Sequence, residues 1–133
     1  MKLRSINPPG SNIPGISQAM VVENGRLLFL SGHLPMRRDG SVAGIGLEVQ
    51  MNQVFENIQA TLLEAGASFE NVARLTIYVR DYRPEALPMI RAVRDRFTNL
   101  ERPPTSALIG VAALFHPDVL VEVDAIAVLP GVP

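Results

Sequence analysis

The chain has 133 residues with 12 basic and 13 acidic side chains, 47% hydrophobic residues and no cysteine. That length suits one domain, residues 1–133, burying roughly two thirds of its unfolded surface, and a mean hydropathy of +0.20 argues against disorder. A net charge of −1 gives no electrostatic footprint for nucleic acid or an anionic membrane, and the lack of cysteine excludes disulfides, thiolate zinc sites and cysteine nucleophiles.

Residues 1–15 lack the apolar central segment of a signal peptide. No run approaches the ~20 apolar residues of a membrane span, so the cytoplasm is the expected compartment. Further on, Ala19 to Glu23, Asn24-Gly25 and Arg26 to Ser31 read as a hairpin closed by a two-residue turn. Leu34 to Gly46, with Pro35, Asp39-Gly40, Gly44 and Gly46, is a loop. Leu47 to Ala65 is a helix, because Val54, Phe55, Ile58, Leu62 and Ala65 recur on one face, and Gly66 is its left-handed stop.

Val72 to Val79 alternates Leu75, Ile77 and Val79 with Arg74, Thr76 and Tyr78, the pattern of a strand. A second helix runs from Pro84 or Pro88 to Thr98 with Ile90, Val93 and Phe97 on one stripe, and Pro88 favours the later start. Arg102-Pro103-Pro104 leads extended into two strands, Pro104 to Val128, separated by a turn. In the last strand Leu120, Glu122, Asp124, Ile126 and Val128 share one face, and Val119, Val121, Val123, Ala125 and Ala127 share the other. The small apolar face belongs against helices. The predicted architecture is therefore α+β: a mixed sheet with two helices on one face. Its bare face would expose Leu120, Ile126 and Val128, a patch that points to self-association.

Glu122 is the leading candidate for chemistry, since a carboxylate in a partly apolar cleft suits proton transfer or activation of a water. The competing reading is a solvated or salt-bridged strand acid. Ser31-Gly32-His33 ends the predicted hairpin beside a possible cleft, although adjacent residues on an extended chain face opposite ways and make a poor Ser/His pair; a plain loop histidine is the alternative for His33. His116 lies in the surface turn Phe115-His116-Pro117-Asp118. Gly44-Ile45-Gly46 precedes a helix but lacks a third spaced glycine and a following Lys-Ser/Thr, so it meets neither nucleotide fingerprint.

Five segments, in order, resemble the Rid (reactive intermediate deaminase, or YjgF-like) family. They are Pro14-Gly15-Ile16-Ser17-Gln18-Ala19, Leu30-Ser31-Gly32-His33, Gln50 to Ile58, Leu62-Leu63-Glu64-Ala65-Gly66, and Pro104-Thr105-Ser106-Ala107 through Gly110-Val111-Ala112-Ala113-Leu114 to Val121-Glu122-Val123-Asp124-Ala125. The resemblance implies a chorismate-mutase-like fold and a homotrimer with a small-molecule cleft at each subunit interface. It also implies hydrolysis of reactive imines and enamines to 2-oxo acids and ammonia, without metal or cofactor.

On this resemblance Glu122 positions or activates water, while Ser31 and Gly32 form the cleft wall. The family's carboxylate-gripping arginine falls on Ser106, or on Thr105 in an alignment shifted by one residue, and neither carries charge. Ile16 stands where the family has tyrosine, His33 where it has glutamine, and Met89 where it has asparagine. Losing one charge-assisted pair forfeits roughly 1.5–3 kcal/mol of substrate binding. Two readings follow: a deaminase-like hydrolase in which Glu122, Ser31, Ser106 and His33 serve an altered substrate, or a non-catalytic ligand-binding or regulatory trimer.

Overall fold

The structure is a computed structural model that describes residues 2–11 and 13–132. Strands β1 (Lys2–Ile6), β2 (Ala19–Glu23) and β3 (Gly25–His33) precede helix α1 (Leu47–Glu64); β4 (Val72–Arg80), α2 (Leu87–Asp95), β5 (Thr105–Val111) and β6 (Val121–Pro130) follow. A four-stranded sheet has the order β3-β6-β4-β5, with β4 and β5 parallel and the other pairs antiparallel. Both helices pack on one face, the arrangement expected from their apolar stripes.

The main core is what the periodicities require. Along α1, Met51, Val54, Phe55, Ile58 and Leu62 are fully buried, and they meet Leu75, Ile77 and Val79 of β4 and Val121, Val123, Ala125 and Ala127 of β6. The valines and alanines of β6 are small enough to let a helix lie close above the sheet. Phe55, Phe69 and Phe97 stack into a triad with ring centroids 5.3–5.9 Å apart. Gly66 takes the left-handed conformation (φ 77°) that ends α1. Pro88 sits in the first turn of α2, after a 3-10 turn over Pro84–Ala86, and the helix stops at Asp95 rather than Thr98.

Gln50, a polar residue, is fully buried under this core. Gln50 donates to the carbonyls of Gly44 (3.3 Å) and Asp118 (2.8 Å) and accepts from the N–H of Leu120 (2.8 Å). It thereby ties the start of α1 to the turn before β6, and a buried amide with this many partners costs little. Asn57 does the same for the loop after β3, donating to the carbonyls of Leu34 and Met36, each at 2.8 Å.

The predicted hairpin does not form. β2 pairs with β1, a strand with little sequence signal of its own, and β3 pairs with β6 instead. Among residues 24 and 25 only Asn24 has positive φ (53°), whereas the tight two-residue turn needs it at both positions. The chain swings away at Asn24. Ser17 donates its N–H to Pro104 O (3.0 Å) at the start of β5, whereas Gly25 is in register with Pro130 at the opposite edge. β2 therefore spans the end of the sheet from one edge to the other. Leu3 and Met20 of this detached ribbon pack over Ala73 and Val128, so Val128 is fully buried rather than exposed.

Candidate functional site

The alternation of β6 places Glu122 and Asp124, both half-buried, on the face opposite the helices. Register brings β4 partners beside them: Tyr78 pairs with Glu122, Thr76 with Asp124 and Arg74 with Ile126. The phenol of Tyr78 donates to Asp124 Oδ2 across the diagonal at 3.2 Å. Burial, reinforced by the charge of Asp124, its hydrogen bond and the charge of Glu122, raises the phenol's pKa above its usual 10.0. Tyr78 thus remains a neutral donor between two carboxylates.

Gly32 is fitted to Glu122. The register between β3 and β6 slips between Leu30 and His33, a bulge that leaves Ser31 and Gly32 outside the ladder at this end of the sheet. A Cβ on Gly32 would lie 2.1 Å from Glu122 Oε2 and 2.8 Å from Cδ, so the carboxylate occupies the space a side chain would need. The same bulge turns His33 the other way: its Nδ1 lies 2.7 Å from the carbonyl of Ser31 and its Nε2 2.7 Å from Thr61 Oγ1 on α1. The imidazole is engaged on the helix side, and the structure does not bring it to Glu122.

The remaining sequence-derived residues lie elsewhere. Ser106 is in register with core-facing Leu75, on the helix side of β5. It opens into a pocket of about 330 Å³ between β5, α2 and the segment before β2, to which Ile16 contributes. Thr105 donates its hydroxyl to Ala73 O at 2.7 Å. Met89 packs against the main core and does not line this pocket. What sequence reading missed is the cationic side of the pocket. Leu87, Ile90, Arg91 and Arg94 form one stripe of α2 at helical spacing and line the cavity together. Arg94 is buried, with Nε 3.0 Å from Asp95 Oδ1 and Nη2 donating to Pro14 O at 3.1 Å. Gly15 lets the chain pass this close: a Cβ there would meet Arg94 Nη2 at 2.1 Å.

Among the described residues no three His, Asp or Glu side chains gather as a metal-holding group. Among the described residues no helix is long and apolar enough to cross a membrane. In the Tyr82→Phe variant, where Tyr78 is the only phenol left of two, absorbance titration is expected to give a midpoint above 10.0. Asp124→Asn should lower it. Since the raised value belongs to the folded state, the associated stability is present below pH 10.0 and is lost as pH rises through the folded-state value. A midpoint at or below the ordinary value would contradict this placement.

A mixed sheet with two helices on one face and a polar cluster on the other defines the chorismate-mutase-like α+β class. The sequence matches the endoribonuclease L-PSP family over residues 12–129. It is 35% identical over 112 residues to the RutC family protein slr0709 of Synechocystis, covering 83% of each chain. The Rid family protein YyfB of Yersinia pestis superposes with a TM-score of 0.90 at 34% identity, over 97% of this chain and 100% of that one. RidA from an Antarctic Psychrobacter gives 0.70 at 27% identity, over 90% and 92%. The chain belongs to the endoribonuclease L-PSP family, the Rid, YjgF and RutC group.

Proposed function

We propose that this protein is a cytoplasmic, cofactor-independent hydrolase that deaminates a small reactive imine or enamine in a cleft completed by a second copy of the chain. The observation that carries the reading is the seating of Glu122 against Gly32, with Ser31 beside it. A carboxylate so placed can take a proton from water as the water oxygen adds to the imine carbon. That proton passes to nitrogen to give a carbinolamine; the carboxylate then relays a second proton, from the carbinolamine hydroxyl, to nitrogen as the C–N bond breaks, releasing ammonia and leaving a carbonyl. One water and two proton transfers balance the reaction.

Assembly is part of the proposal, because Glu122 and the Ser106 pocket lie on opposite faces of one sheet. A ligand touching both would bridge two copies. Leu27, Phe29 and Ile109 are exposed on the Glu122 face and offer the apolar surface for such contact; a homotrimer closes it with one kind of interface. The ribonuclease activity in the family's description is not the reading favoured here, since a net charge of −1 provides little to hold a phosphate backbone.

The test is a coupled assay in which an amino-acid oxidase generates 2-iminobutanoate. Purified protein is expected to accelerate formation of 2-oxobutanoate above the spontaneous rate. If a panel of such imines shows no acceleration, the hydrolase reading falls and the ligand-binding trimer takes its place.

A further inference from the structure

The pocket beneath Ser106 has a composition that its neutral β5 residues do not account for. Its walls are mostly apolar, from Ile13, Ile16, Ile77, Leu87, Ile90 and Leu108, yet Arg91 and Arg94 of α2 also line it. Arg94 is spoken for by Asp95 and Pro14. Arg91, one turn earlier and half-buried, makes no hydrogen bond or ion pair among the described residues. An arginine without a partner among the described residues, lining a largely apolar cavity, is suited to an anion there, and its planar fork matches a carboxylate in bidentate fashion. The volume, about 330 Å³, lies in the range of small-ligand sites.

We infer that Arg91 is the carboxylate-gripping residue of this protein, and that the pocket takes small carboxylates with an apolar side chain. The positive charge that Ser106 cannot supply comes from α2, across the cavity. Arg94, fixed by its ion pair with Asp95 and by the Pro14 carbonyl, holds the segment carrying Ile13 and Ile16 against the helix. Ile16 and Leu108 meet the ligand's apolar body. The inference rests on the proposed hydrolase only for the role of the ligand as substrate or product; the binding itself stands apart from turnover.

The experiment is titration calorimetry of the intact protein with 4-methyl-2-oxopentanoate and with its neutral amide, for wild type and Arg91→Gln. Wild type is expected to bind the carboxylate at least tenfold more tightly than the amide. Arg91→Gln should lose about tenfold or more of that affinity and discriminate little between the two. Wild-type affinity in a folded Arg91→Gln, or wild type that fails to prefer the carboxylate, overturns the inference. Should Arg91→Gln not fold, wild-type preference for the carboxylate over the amide decides alone. Carboxylate binding through Arg91 without imine hydrolysis would sink the hydrolase and keep the pocket; hydrolysis unaffected by Arg91→Gln would do the reverse.

Discussion

Glu122→Gln is expected to lower imine hydrolysis by about 100-fold or more while leaving the fold and the thermal midpoint close to wild type. The magnitude follows from removing a positioned proton acceptor, worth 10²- to 10⁴-fold in typical cases. The amide keeps the volume of the acid, which matters because the space beside Gly32 is filled by this one side chain. Glutamine loses the proton-accepting function and keeps the packing, so a change in rate reports chemistry rather than collapse. Its neighbours give a control. Asp124 is hydrogen-bonded to Tyr78 and sits one step further down the strand. Asp124→Asn should therefore disturb the phenol and change the rate less than Glu122→Gln does. Equal rates for wild type and Glu122→Gln, measured as 2-oxo acid formed above the spontaneous background, would remove Glu122 from the mechanism.

The parts of this molecule legible in the sequence are those governed by short periods. The burial of Val121, Val123, Ala125 and Ala127 and the half-exposure of Glu122 and Asp124 follow from alternation alone. The stripe of α1 and its stop at Gly66 follow from helical spacing and one left-handed residue. The hairpin at Asn24-Gly25 did not follow, since a local turn signal was overruled by tertiary contacts: Ser17 is drawn to Pro104, and Leu3 and Met20 to Val128. Strand β1 carries only Leu3 as a buried anchor, too little pattern to announce a strand.

The site divides in the same way. Gly32 against Glu122 joins β3 to β6, a proximity set by register and a bulge, yet the family resemblance pointed to both residues. Arg91 was present in the sequence at the right spacing from Leu87 and Arg94. Its meaning depended on Ser106 facing it from a strand brought into place by the parallel β4–β5 crossover. Tyr78 was readable as a partner of Arg74 and Thr76 by alternation, but its link to Asp124 needed the antiparallel register of β4 and β6.

Phe55→Ala is expected to cost about 3–5 kcal/mol of unfolding free energy, a large part of the 5–15 kcal/mol typical of a domain. Phe55 is fully buried and packs against two other rings, Phe69 after α1 and Phe97 after α2, with centroids 5.9 and 5.3 Å away. Removing it leaves a hole on which three separate segments border, and segments so fully packed cannot all close in. For a chain of this size the loss should appear as a fall in thermal midpoint of roughly 10–20 °C. Because the triad joins both helices to each other above the sheet, the loosening should be global. Far-ultraviolet circular dichroism and tyrosine fluorescence from the β4 face are expected to report one coincident transition. A loss below about 1 kcal/mol would mean the core repacks around alanine far better than large-to-small changes normally allow. Two separate transitions would mean that the helix layer and the sheet carrying Glu122 melt independently, and the helices would then be less essential to holding the carboxylate face than their shared core implies.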